Sequence, residues 1–184
     1  MRFNITGEQR RNPLLKTAIL LFLSYVALLW LSNGLLYFDK MSLTYESVKT
    51  YYLGDPATFQ QPRSYVGMLE VAHFHLFAMG VLVLTLVHLM FFAPLSLRAK
   101  QFWMWAPFVF AVGDEGAGWL VRFVSPLFSY LKIATFIGLE LSLAGVIAIT
   151  LWSLASDRRG SYAESRDKSQ STTYQPREKS PASS

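Results

Sequence analysis

All three histidines of this 184-residue chain lie in one apolar segment, residues 65–92, and imidazole is a common ligand of metals and haem. His73 and His88 are about 22 Å apart along an ideal α-helix and about 60° apart around it. They therefore share one helix face, near which Gly80 also lies, whereas His75 points to the opposite face. A single centre cannot use both His73 and His88, but two centres stacked across a membrane can.

The spacing resembles that of one helix in the di-haem b-type cytochromes of membranes, where a helix gives one histidine to each of two haems. The resemblance covers only the segment that contains the histidines. It implies haem b bound by His73 and His88, with His75 as a further candidate. It also implies that Gly80 makes room for the macrocycle, and that Arg122 is a natural partner for the haem propionates.

The chain departs from that pattern because no other apolar segment contains a histidine. Bis-histidine ligation then needs a second copy of the chain or another subunit to supply the opposing ligands. A methionine, such as Met104, is the third possibility.

A second set of residues could hold a bare metal ion such as Fe, Cu or Mn. Glu70 and His73 form a Glu-x-x-His motif, whose spacing puts a carboxylate and an imidazole on one helix face in di-iron bundles. Asp114, Glu115 and Glu140 fall at a similar depth on other segments, and mixed carboxylate and imidazole ligands suit these ions. The candidate metal ligands are Glu70, His73, His88, Asp114, Glu115 and Glu140.

The same carboxylates could instead form internal ion pairs or a proton path. Arg122 and Lys132 lie near the ends of their apolar segments and can reach towards acidic side chains. This alternative describes a structural or proton-conducting subunit of a larger membrane complex.

The elements that carry these residues are long apolar segments. The chain is 52% hydrophobic and only 16% charged, whereas a soluble domain usually has about a quarter charged residues. A helix that spans a bilayer needs about 20 apolar residues. The sequence therefore predicts an all-α, integral membrane, antiparallel four-helix bundle in residues 1–155 and a disordered polar tail in residues 156–184. The predicted spans are residues 14–38, 65–92, 102–124 and 130–154.

The distribution of basic residues predicts that both termini are cytoplasmic. With that orientation, most of the Lys and Arg residues lie on the inner side, as the positive-inside rule expects. The long connection, residues 39–64, is then on the outer side, with a short interfacial helix predicted over residues 42–53. The net charge of +5 follows from this topology and does not indicate nucleic-acid binding. The absence of cysteine excludes disulfides, iron–sulfur clusters and c-type haem attachment.

These observations lead us to expect a membrane electron-transfer subunit that binds b-type haem and passes electrons between the quinone pool and a partner. The partner is another membrane or periplasmic redox subunit, or a second copy. We expect a multi-pass protein of the inner (plasma) membrane that works as part of a redox complex rather than as a stand-alone enzyme.

Overall fold

The computed structural model describes residues 13–173, with side chains described as far as residue 156. This part of the chain is helical and contains no β-strand beyond one isolated bridge. Two 3-10 turns, Pro56–Thr58 and Pro126–Phe128, lie in the connections. The five α-helices are α1 (Pro13–Lys40), α2 (Tyr45–Leu53), α3 (Tyr65–Met90), α4 (Leu97–Phe123) and α5 (Ser129–Thr173).

Hydroxyl side chains cap the starts of three helices. Thr44, Ser64 and Ser96 accept hydrogen bonds from backbone N–H groups in the first turns of α2, α3 and α4. Gly54 ends α2 with a φ of +79°, a conformation that favours glycine. A Cβ at Gly54 would also overlap the carbonyl oxygen of Gln60.

Among the described residues, three helices are long and apolar enough to cross a membrane: α1, α3 and the stretch Pro126–Ser156, which includes most of α5. This confirms the coarse prediction of a helical membrane protein. Helix α4 has a similar length, 27 residues, but is less apolar, and it runs unbroken through Gly113 and Gly118.

Helix α5 is the central element, because α1, α3 and α4 all pack against it. One buried hydrophobic core brings together Leu23 of α1, Leu86 and Met90 of α3, and Leu139 and Val146 of α5. Helix α1 touches α3 very little, although both contact α5.

Two boundaries differ from the prediction. Helix α4 begins at Leu97, five residues before the predicted start at residue 102. Helix α5 continues to Thr173, whereas the sequence predicts a disordered tail from residue 156. The rest of the predicted tail, residues 174–184, lies outside the described residues.

Candidate functional site

A cavity of about 650 Å³ lies where α1 ends and α3 begins. We call it the tyrosine cavity, because Tyr37, Tyr51 and Tyr52 all line it. Helix α2 and the segment that follows it cover the cavity. Its charged residues are Lys40 of α1, Arg63 before α3, Asp114 and Glu115 of α4, and Lys132 of α5. The cavity is also lined by Asn33, Leu36, Val71, His75, Gly118 and Phe136.

A buried ion pair joins α4 to α5 beside this cavity. The Lys132 ammonium lies 2.7 Å from Oδ2 of Asp114 and donates a second hydrogen bond, 3.0 Å long, to the Asp114 carbonyl oxygen. The side chains of Lys132 and Asp114 are only 8% and 13% exposed. Burial at this level is tolerated because each charge has its partner.

Aromatic rings form much of the cavity wall. Tyr37 of α1 stacks on Phe136 of α5, with ring centroids 3.6 Å apart and ring planes 10° apart. Tyr52 of α2 packs against Gly118 of α4, where an added Cβ would lie 2.6 Å from the tyrosine hydroxyl. Burial raises the pKa of Tyr52 well above its usual range, and the nearby Asp114 carboxylate raises it further.

Two polar atoms of cavity-lining residues have no hydrogen-bond partner among the described residues. They are the hydroxyl oxygen of Tyr37 and Oδ1 of Asp114, and both are buried. A buried polar group without a partner costs about 1–3 kcal/mol. These atoms therefore give this region unused capacity to hold a polar ligand.

Glu140 makes its contacts with α1. Its Oε1 accepts a 2.6 Å hydrogen bond from the Asn33 amide, and its backbone carbonyl accepts a 3.1 Å bond from the indole of Trp30. Asn33 lines the tyrosine cavity, but Glu140 does not.

The histidines divide between two environments. His73 and His88 are exposed on a face of α3 that also carries Phe77 and Leu84, which are 75% and 63% exposed. A Cβ added at Gly80, which lies between them, would meet nothing within 4 Å. The His88 ring makes edge contacts with neighbouring phenylalanines, and the His73 ring with Phe74. His75 faces the other way and lines the tyrosine cavity.

The remaining predicted metal ligands are not brought together. Glu70 is exposed and does not line the cavity, whereas Asp114 and Glu115 do. Within residues 13–173, no group of three or more His, Asp and Glu side chains is placed to hold a metal ion. Arg122 donates a 2.9 Å hydrogen bond from Nε to the carbonyl oxygen of Arg63 and so holds the segment that precedes α3.

Asn33, Tyr37 and Tyr52 are among the cavity residues that sequence reasoning missed. A polar amide four residues before a tyrosine on an apolar span places both on one helix face, and this was an available signal. The position of Tyr52 could not be read in the same way, because it depends on how α2 folds back over α4.

The comparisons agree with the helical membrane architecture. A family model described as a transmembrane helical domain, Aq_1264_TM, matches residues 42–161. The chain belongs to this family. No curated protein and no solved structure matches the chain. The matched residues include α2, α3 and α4, so this family domain contains every histidine and most of the residues around the tyrosine cavity.

Proposed function

We propose that this member of the Aq_1264_TM family is an electron-transfer subunit of the inner membrane. In this proposal α1, α3, α4 and α5 form an antiparallel four-span bundle with both termini in the cytoplasm. His73 and His88 are ligands of b-type haem at an interface with a second chain. That chain is another redox subunit or a second copy.

The observation that carries the proposal is the exposure of His73 and His88 on one apolar face of a membrane-spanning helix. An ionisable side chain that faces lipid is costly, and such residues within spans usually mark a functional site. Neither imidazole makes a hydrogen bond with any other described residue, so both rings remain available as ligands. Their arrangement therefore favours a binding partner over a lipid-facing role.

The residues around the histidines suit a large planar group. Gly80 leaves open space midway between them, and Phe77 and Leu84 offer exposed apolar surface on either side. Haem, when bound, supplies one-electron exchange. The protein supplies imidazole ligands and an apolar environment, and both affect the reduction potential of such a centre. In this proposal the opposing ligands come from the second chain, because His75 faces the tyrosine cavity and Met104 packs against the buried core.

The bare-metal alternative has less support. It requires Asp114 and Glu140 to join His73, but Lys132 holds the Asp114 carboxylate and Asn33 holds the Glu140 carboxylate. The structural or proton-conducting alternative is compatible with these same pairs. It gives no reason for two histidines on an exposed apolar face.

The proposal is tested by reduced-minus-oxidised absorbance spectra of membranes and of purified protein, each expressed with a supply of haem. We expect sharp α bands that His73→Ala or His88→Ala removes or halves. His75→Ala is the matched control, because it lies two residues away on the other face, and it should keep the spectrum. Gly80→Leu should also lower the haem content. Membranes that contain the intact complex but show no change of spectrum in any of these variants would refute the proposal.

A further inference from the structure

We infer that the tyrosine cavity binds the ring of a lipid-soluble hydroquinone. The cavity lies on the side of α3 opposite His73 and is a separate site from the proposed haem face. As an electron donor the hydroquinone gives one electron to each of the two proposed haems and releases two protons to water as it becomes the quinone. This role rests on the proposed function, whereas the binding of the hydroquinone can be tested without haem.

The tyrosine cavity has exposed apolar lining residues on both α1 and α3. Leu36 of α1 and Val71 of α3 both line the cavity, and they are 50% and 59% exposed. Both helices are membrane-spanning candidates that pack on α5 and scarcely on each other. A ligand dissolved in lipid can therefore enter sideways between them, which favours an amphiphile over a water-soluble metabolite.

The charges around the cavity favour a neutral ligand. The buried pair Lys132 and Asp114 is neutral as a unit, and its ammonium already has two acceptors. The guanidinium of Arg63 lies 4.0 Å above the ring of Tyr51, and Glu115 adds a negative charge. Lys40 also lines the cavity, so three basic and two acidic side chains surround it. Because neither sign predominates by more than one charge, the lining does not select for an anion, and a neutral ligand suits it.

The polar atoms match the hydroxyl groups of a hydroquinone. Oδ1 of Asp114 is a buried acceptor without a donor, and a ring hydroxyl can donate to it. The Tyr37 hydroxyl also lacks a partner and can either donate or accept. The cavity is wide enough for a substituted ring, and its aromatic wall, which includes Phe136, offers stacking surface.

The test uses a photoreactive azidobenzoquinone with a decyl tail, reduced to the hydroquinone and irradiated with haem-free protein in liposomes. We expect labelled peptides from the end of α1, the start of α3 and α4 near Asp114. Excess decylubiquinol should suppress the labelling, whereas dioleoylglycerol, a neutral lipid with a hydroxyl group, should not.

Two matched variants make the result decisive. Leu36→Trp places an indole in the exposed part of the cavity lining and should reduce the labelling about tenfold. Leu35→Trp, at the neighbouring position, which is 73% exposed and does not line the cavity, should leave the labelling unchanged. Equal labelling of the two variants, label spread evenly over all lipid-facing helices, or suppression by dioleoylglycerol would each overturn the inference. If membranes show the haem spectrum but the cavity is not labelled, only the cavity site is refuted. If the cavity is labelled but no membrane preparation shows a haem spectrum, only the proposed function is refuted.

Discussion

The ammonium of Lys132 on α5 holds two oxygens of one residue of α4, Oδ2 of Asp114 at 2.7 Å and its backbone carbonyl at 3.0 Å. This contact links the two helices that pack most extensively against each other. Because both side chains are nearly buried, the pair fixes how the two helices meet beside the tyrosine cavity.

The first prediction concerns this pair. Lys132→Met leaves the Asp114 carboxylate buried and uncompensated, and we expect a loss of about 3–5 kcal/mol in the free energy of unfolding. The double variant with Asp114→Asn should recover most of that loss. Unfolding in mixed micelles with increasing SDS gives the measurement. The control is Lys49→Met, which removes an exposed i,i+3 pair with Glu46 and should change the free energy by less than about 0.5 kcal/mol. A double variant no more stable than Lys132→Met would contradict this account.

The second prediction concerns the attachment of α1. Asn33 donates a 2.6 Å hydrogen bond to Glu140, and this bond lies between two helices in a membrane-spanning region. Such bonds contribute about 0.6 kcal/mol on average and up to about 1.7 kcal/mol. We expect Asn33→Leu to lower the unfolding free energy by about 1 kcal/mol, measured by the same SDS titration. Ser32→Ala, which removes an exposed bond within α1, should have little effect. Equal effects of the two variants would show that the hydrogen bond from Asn33 to Glu140 does not stabilise the packing of α1 against α5.

The third prediction uses two glycines of α4 that are two residues apart. A Cβ at Gly118 would meet the Tyr52 hydroxyl at 2.6 Å, whereas a Cβ at Gly116 would meet nothing within 4 Å. Gly118→Ala should therefore displace α2 and cost about 1–3 kcal/mol, as overpacking does. Gly116→Ala should be neutral or stabilising by about 0.4–1 kcal/mol.

The readout for these glycines is proteolysis of the segment after α2 in liposomes, together with the SDS titration. Protease should cut near Phe59 faster in Gly118→Ala than in the parent protein. The finding that both alanine variants behave alike would mean that Tyr52 does not pack on α4 as described.

The sequence predicted a helical membrane protein because its apolar segments are long enough to span a bilayer. Its boundaries for α3 agree with the structure to within two residues. It also placed His73 and His88 on one face by helix geometry alone, and both are exposed there. The sequence also grouped Glu140 with Asp114 because they lie at similar depths on separate helices. In the structure the two carboxylates have different partners, Asn33 and Lys132.

The tyrosine cavity could not be predicted in the same way. Two residues at equal depth on different helices need not face each other, because depth does not determine how each helix is rotated about its axis. Helix α5 is rotated so that Glu140 faces α1 and Lys132 faces Asp114. The cavity also depends on the connection after α1, which folds back so that Tyr52 reaches α4. Contacts of this kind arise from tertiary packing, which leaves no periodic signal in the sequence.

The last prediction concerns the alkaline limit of stability. Burial raises the pKa of Tyr52, so its phenol stays neutral in the folded protein at pH values where an unfolded tyrosine, with a pKa near 10, ionises. Below about pH 10 the phenol is neutral in both states and does not change stability. Above that pH the unfolded state loses a proton that the folded state keeps, and the unfolding free energy falls by about 1.4 kcal/mol per pH unit.

Tyr52→Phe removes this dependence, so its stability should fall less steeply above pH 10 than that of the parent protein. Absorbance at 295 nm during an alkaline titration follows tyrosinate formation among the nine tyrosines. We expect the fraction that appears only on unfolding to shrink by one residue in Tyr52→Phe. Tyr130→Phe, which removes an exposed phenol, should leave that late fraction intact. A late fraction of equal size in the two variants would show that Tyr52 is accessible to solvent and that α2 does not cover the cavity.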